Sequence, residues 1–262
     1  MQVVVTRPAT DGQVWAQALA AAGHEALQLP LIEIASAPHP AEVQACWARL
    51  AQFQAVMFVS ANAVAGFFAN KSGNADAMPR AWATGPGTVR ALLAQGVAEA
   101  LIDAPAPLAA QFDSEALWSV ARGQIRGGEQ VLIVRGAGSQ ALENAANRSG
   151  RDWLADELGR AGATVEFCTA YQRIRPRFTP AQLAQVQRWV SAEHAETVVW
   201  LFSSGEAIDN LALAMPDQSW RLARAMCTHP RIADRARGHG FGVVWESRPT
   251  LEDVVASIES VG

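Results

Sequence analysis

Apolar residues along this chain come in short unbroken runs separated by amphipathic stretches. The runs are Val3–Thr6, Ala55–Val59, Ala81–Thr84, Val131–Val134, Val165–Thr169, Thr197–Phe202, Ala225–Thr228 and Gly242–Trp245. Most do not alternate with polar positions, which predicts strands buried on both faces. Between them, apolar positions recur at helical spacing over Gln13–Ala22, Glu42–Gln52, Thr88–Ala94, Glu115–Ala121, Asp152–Arg160, Ala181–Val190, Glu206–Met215 and Leu251–Ser260. Gly23, Gly96, Gly162 and Gly240 fall where left-handed helix caps are expected. Strand–helix–strand alternation from end to end predicts parallel sheets with helices on both faces.

The pattern repeats. Residues 58–97 and 202–241 align without a gap at a constant offset of 144. Phe58, Ser60, Ala63, Arg80, Ala81, Thr84, Pro86 and Gly96 meet Phe202, Ser204, Ala207, Arg224, Ala225, Thr228, Pro230 and Gly240. A second pairing sets Val3 and Arg7 against Val131 and Arg135, then Trp15 and Gly23 against Trp153 and Gly162. The chain is thus two copies of one α/β unit. Two arrangements satisfy this. Either the copies are tandem domains split near residue 128, or the middle segments form one domain and the chain ends form the other. The proline-containing stretches 36–40 and 172–177 suit the two crossings of the second arrangement. A polar stretch at 136–151 reads as a mobile surface insertion.

With 262 residues, half of them hydrophobic and 18% charged, the chain is a globular protein of about two domains. Its net charge of −4, with no basic tract, argues against nucleic acid or an acidic membrane surface as partner. Three widely spaced cysteines and five histidines form no metal-ligand spacing. No secretory leader and no apolar run long enough for a membrane helix are evident, so the expected location is the cytoplasm.

Chemistry is expected at strand ends. Ser60-Ala61-Asn62 and Ser203-Ser204-Gly205 close apolar strands and open helices, where hydroxyls cap N-termini and free N–H groups attract anions. Thr84-Gly85-Pro86-Gly87-Thr88 has the same construction, without a dinucleotide or P-loop signature. Asp113-Ser114-Glu115 reads as a helix cap. Arg7 and Arg135 end repeat-equivalent strands, either bracing a loop or gripping a carboxylate. His229 and Arg231 flank Pro230 after another strand, as an anion contact or a simple terminus. Tyr171, the only tyrosine, begins the second candidate crossing and offers a weak acid. No Ser-His-Asp or Cys-His set appears. These residues describe a two-lobed binder of a small anionic ligand.

Taken in order, the motifs resemble the uroporphyrinogen-III synthases over nearly the whole chain. They are Val4-Val5-Thr6-Arg7-Pro8, Phe58-Val59-Ser60-Ala61-Asn62-Ala63-Val64, Thr84-Gly85-Pro86-Gly87-Thr88, Asp113-Ser114-Glu115, Val131-Leu132-Ile133-Val134-Arg135-Gly136, Ala170-Tyr171-Gln172-Arg173, Ser203-Ser204 and His229-Pro230-Arg231-Ile232-Ala233 with Gly240-Phe241. The resemblance implies an α/β fold of two similar parallel-sheet, flavodoxin-like domains, joined by a two-stranded linker with a ligand cleft between them. It implies domains at 1–36 plus 174–262 and at 40–170, with linkers at 36–40 and 170–176. It further implies a hydro-lyase that cyclises the linear tetrapyrrole hydroxymethylbilane to uroporphyrinogen III with inversion of the last ring, for haem and related tetrapyrroles. Neither cofactor nor metal is implied. The implied state is a monomer, with hydroxymethylbilane synthase as a transient partner. Tyr171 is implied as the catalytic acid. Ser60, Asn62, Thr84, Thr88, Ser114, Arg135, Ser204 and Thr228 are implied as substrate binders, and Arg7 joins them through the repeat. The reading that competes is a non-catalytic two-lobed binder of an anionic small molecule.

Overall fold

The computed structural model describes residues 1–72, 78–109, 111–138 and 150–261, without the side chains of 150–152 and 261. Most of the polar stretch expected to be a mobile insertion, residues 139–149, lies outside the described residues. In chain order the elements are β1 (Gln2–Val5), α1 (Ala9–Ala21), β2 (Glu25–Gln28), β3 (Glu33–Ser36), α2 (Pro40–Ala48), β4 (Ala55–Phe58), α3 (Ala61–Ala69), β5 (Arg80–Ala83), α4 (Pro86–Ala94), β6 (Ile102–Asp103), α5 (Ser114–Ala121), β7 (Gln130–Ala137), α6 (Gly150–Arg160), β8 (Thr164–Ile174), α7 (Pro180–Trp189), β9 (Val198–Phe202), α8 (Gly205–Ala214), β10 (Arg224–Cys227), α9 (Pro230–Gly238), β11 (Val243–Glu246) and α10 (Leu251–Val261).

The chain divides into a terminal unit, Met1–Glu33 with Ile174–Gly262, and a central unit, Ile34–Arg173. The terminal unit holds a five-stranded sheet in the order β11-β10-β9-β1-β2. The central unit holds the order β3-β8-β7-β4-β5-β6. A tandem split near residue 128 would part β7 from β4, yet the two pair in register, Ala55 with Val131 through Phe58 with Val134. The repeat is visible in the registers. Ala55 pairs with Arg80 in one sheet, and its equivalent Val199 pairs with Arg224 in the other. Gln130 pairs with Thr164, and Gln2 with Glu25. All of these pairings are parallel.

Burial on both faces explains the unbroken apolar runs. In β4, Val56 and Phe58 join a core with Phe67 and Trp47, while Ala55 and Met57 join a second core with Trp82 and Leu117 on the opposite face. In the terminal unit, Val3, Val5, Val199 and Leu201 pack against Trp15, Leu19, Val254 and Ile258. The four glycines expected as left-handed caps have φ of 82–86°. Three short strands went unsignalled. β2 and β3 have polar, exposed ends, and β6 has two residues, so none forms an apolar run. Helix α9 was hidden by its arginines, since only Ala233 and Ala236 face the interior.

Two glycine positions mark close approaches. A Cβ on Gly66 would stand 2.9 Å from the Ala170 carbonyl carbon and closer still to its oxygen, so α3 lies directly against β8 there. In the terminal unit the equivalent of Gly66 is Asn210, fully buried, whose Nδ2 donates to the Leu31 carbonyl at 2.8 Å. One copy removes the side chain to approach a backbone carbonyl, and the other bridges to one with an amide.

Burial also sets an alkaline limit. It pushes the Cys227 thiol up to about 12, partly offset by Arg237, and Cys168 is raised as well, chiefly by its hydrogen bond with Cys46 and by burial. A raised thiol keeps its proton in the folded chain after the unfolded chain has lost it. Stability is therefore intact below about pH 8.5 and falls as pH rises toward the folded value. Denaturant titrations at pH 8.5 and 10.5 should show Cys227→Ala losing about 2 kcal/mol less than the parent over that interval. Equal losses would show that Cys227 does not carry the effect.

Candidate functional site

In the central unit the strand ends gather the hydroxyls that the sequence singled out. Ser60 is the N-cap of α3 and accepts from the Ala63 N–H at 3.2 Å. Its hydroxyl also meets that of Tyr171 at 3.2 Å. Thr84, just past β5, donates to the Val59 carbonyl at 3.3 Å, which ties the end of β5 to the residue before Ser60. Thr88 is buried as the third residue of α4, and Asn62 is partly exposed in the first turn of α3. Asp113 caps α5 by accepting from Ala116 N–H at 2.9 Å, and Ser114 is buried as its first residue. Gly85 is spent on the protein itself: a Cβ there would lie 3.1 Å from Phe112 Cβ.

Tyr171 reaches Ser60 through an irregularity in β8. Arg135 pairs with Thr169 but Gly136 pairs with Tyr171, so Ala170 is an extra residue in the ladder. Side chains of successive strand residues point to opposite faces. The bulge breaks that rule, so Ala170 and Tyr171 both pack in the same core. Tyr171 is 4% exposed, with its hydroxyl at the α3 N-terminus.

The terminal unit repeats the construction with other side chains. Ser204 holds the N-cap position of α8 but makes no side-chain cap hydrogen bond. Thr228 is buried past β10, with its N–H bonded to the Phe202 carbonyl at 3.1 Å. His229 caps α9: its Nδ1 accepts from the Arg231 N–H at 3.1 Å. The two repeat-equivalent arginines are both engaged. Arg7 pairs with Asp11 at 2.6 Å and stacks 3.9 Å over Trp15, while Arg135 lies 4.2 Å over Phe167. The bracing role weighed against carboxylate binding is therefore present, although among the described residues Arg7 Nε has no partner.

Helix N-termini supply the electrostatics. An N-terminus carries about half a positive charge and unpaired N–H groups. No acidic residue occupies the first turn of α3, α4 or α9, so these ends keep that potential for an anion. Among the described residues no group of three or more His, Cys, Asp or Glu is placed to hold a metal ion.

Sequence reasoning missed one constellation. On α8, Asp209 accepts from Arg235 Nε and Nη2, both at 2.7 Å, and sits 2.8 Å from His239 Nε2. The repeat did not announce it, since the counterpart of Asp209 is Ala65, which is exposed in the central unit. Sequence reasoning also missed the bulge at Ala170.

A family model described as Uroporphyrinogen-III synthase HemD matches residues 13–256. A uroporphyrinogen-III synthase of Salmonella typhimurium is 30% identical over 250 residues, covering 92% of each chain. One from Escherichia coli is 28% identical over 249 residues, again 92% of each. Among solved structures, the uroporphyrinogen-III synthetase of Helicobacter pylori covers 100% of this chain and 99% of its own, with TM-score 0.57 and 15% identity. A mutant uroporphyrinogen III synthase of Thermus thermophilus covers 100% and 98%, with TM-score 0.56 and 12% identity. At such identities these two structures speak for the fold, while the family model spans nearly the whole sequence. This chain belongs to the uroporphyrinogen-III synthase family.

Proposed function

We infer that this chain is a uroporphyrinogen-III synthase, a cyclising lyase that converts hydroxymethylbilane to uroporphyrinogen III in tetrapyrrole biosynthesis. The non-catalytic binder is not favoured. Hydroxymethylbilane loses its terminal hydroxyl to leave an electrophilic azafulvene. The last ring attacks through its substituted carbon, and the resulting spiro intermediate opens and recloses with that ring inverted. Free in water the chain closes without inversion, so the protein must hold the acetate and propionate arms and exclude water while the ring turns.

The observation that carries the chemistry is the Tyr171 hydroxyl, buried and 3.2 Å from Ser60 at the α3 N-terminus. Tyr171 donates a proton to the departing hydroxyl, which leaves as water. Ser60, hydrogen-bonded to Ala63 N–H, orients the phenol. Asn62, Thr88 and Ser114 in the central unit and Ser204 and Thr228 in the terminal unit contribute donors to the carboxylates, together with the N–H groups of α3, α4 and α9. Thr84, whose O–H is given to the Val59 carbonyl, lines the same strand ends and fixes the residue before Ser60. Arg135 and Arg7, each held over an aromatic ring, serve the same anions. The two units act as the discontinuous domains of one enzyme, and the chain passes between them at residues 33–34 and 173–174. It works as a monomer, and in the cytoplasm, a reducing compartment that agrees with three free, buried cysteines. Because free hydroxymethylbilane closes spontaneously, a transient contact with hydroxymethylbilane synthase would shorten its exposure.

An isomer assay tests this. Hydroxymethylbilane is generated in situ, the protein is added, and the oxidised products are separated by chromatography. Isomer III is expected to dominate. Isomer I alone, with folded protein, would remove the synthase reading.

A further inference from the structure

We propose that Gly136 is a positioning residue for Tyr171: it is the seat without which the phenol cannot stand at Ser60. The proposal rests on the reading of Tyr171 as the proton donor. Gly136 and Tyr171 are paired across β7 and β8 at the first step beyond the bulge. A Cβ on Gly136 would lie 2.5 Å from Tyr171 Cε2 and 2.8 Å from Cε1, and closer still to Cζ. These are the ring carbons at the hydroxyl end. The phenol therefore occupies the space a side chain at 136 would fill. Non-bonded carbons settle near 3.5 Å, so an added methyl group drives the ring back by about 1 Å. The backbone of Gly136 is not the reason for the glycine, since its φ is not among the positive values. The reason is volume.

Three features act together. The extra residue Ala170 turns Tyr171 onto the face of its neighbour. Gly66 lets α3 come against the Ala170 carbonyl, which brings Ser60 within reach. Gly136 leaves room for the ring between them. A displacement of about 1 Å from a productive geometry can cost about 100-fold in rate. Gly136→Ala should thus act on kcat through the hydroxyl.

The test is a cycle of the parent, Gly136→Ala, Tyr171→Phe and the double variant, read by kcat, KM and isomer ratio. Tyr171 is the chain's only tyrosine, so ¹³C-labelled tyrosine gives ring signals from that residue alone. Gly136→Ala should lower kcat at least tenfold with KM within about twofold, raise the share of isomer I and move the tyrosine ring signals. In the Tyr171→Phe background the same change should alter kcat less than about threefold. Equal losses in both backgrounds, or unmoved ring signals, would overturn the proposal. Tyr171→Phe with unchanged kcat would overturn the catalytic reading. Moved ring signals would then show that the failure lies in the chemistry and not in the seat. If Gly136→Ala does not fold, the ring is the cause only if the Tyr171→Leu background restores the circular dichroism of the parent. A double variant that stays unfolded sinks the seat.

Discussion

Replacing Tyr171 by phenylalanine is expected to lower kcat by about 10²–10³-fold with KM changed by less than about a factor of two. A positioned general acid contributes about 10²–10⁴-fold, and the variant removes one oxygen while keeping the ring. The ring is what packs against Gly136 and the core, so the fold and the carboxylate donors stay in place. An effect confined to kcat marks an interaction made in the transition state and not in the bound substrate. The products carry a second readout. As turnover slows, spontaneous closure claims more hydroxymethylbilane, so the share of isomer I should rise with substrate residence time. Steady-state kinetics with chromatographic separation of isomers reads both. A kcat within about threefold of the parent would end the assignment of Tyr171 as the acid.

The legible part of the molecule was the part governed by periodicity. Unbroken apolar runs exposed the central strands because both faces of each sheet are covered, as Val56 and Met57 show by entering different cores. Gly23, Gly96, Gly162 and Gly240 were legible because φ near 85° excludes most other residues. The offset of 144 was legible because both copies use one strand register. Edge strands β2 and β3 were not, since a strand with exposed ends needs no apolar run. Strand-end hydroxyls could be placed by type, and Ser60 and Tyr171 do meet. What brings them together could not be read. The bulge at Ala170 has no glycine or proline to announce it, and Gly136 is one glycine among twenty until its neighbour is known. Arg7 and Arg135 show the same limit: their equivalence was readable, but not that each lies over an aromatic ring.

The repeat also isolates what is particular to the terminal unit, and there the largest stability effect is expected. Asp209 is 8% exposed and sits on α8, where the central unit has Ala65. Its partners come from α9 and the residue after it: Arg235 grips both oxygens at 2.7 Å, and His239 stands 2.8 Å from one of them. The carboxylate holds the Arg235 guanidinium above its ordinary range, chiefly through the hydrogen bond. The partners differ in access to water, with side-chain exposures of 45% for Arg235 and 10% for Asp209. Removing one partner of a buried pair costs about 3–5 kcal/mol because the other charge stays buried and uncompensated. That penalty applies when the arginine goes. Arg235→Ala leaves a buried carboxylate with His239 alone, and a loss of about 3 kcal/mol is expected, at the low end because the imidazole remains. Asp209→Ala leaves Arg235 and His239 with side chains that both reach solvent, and about 1 kcal/mol is expected. The double variant buries no stranded charge and should lose less than Arg235→Ala alone. Denaturant unfolding of the three variants at neutral pH measures the order. If Asp209→Ala proves the more damaging, the carboxylate acts by bracing the α8–α9 contact and not as the charge that Arg235 neutralises.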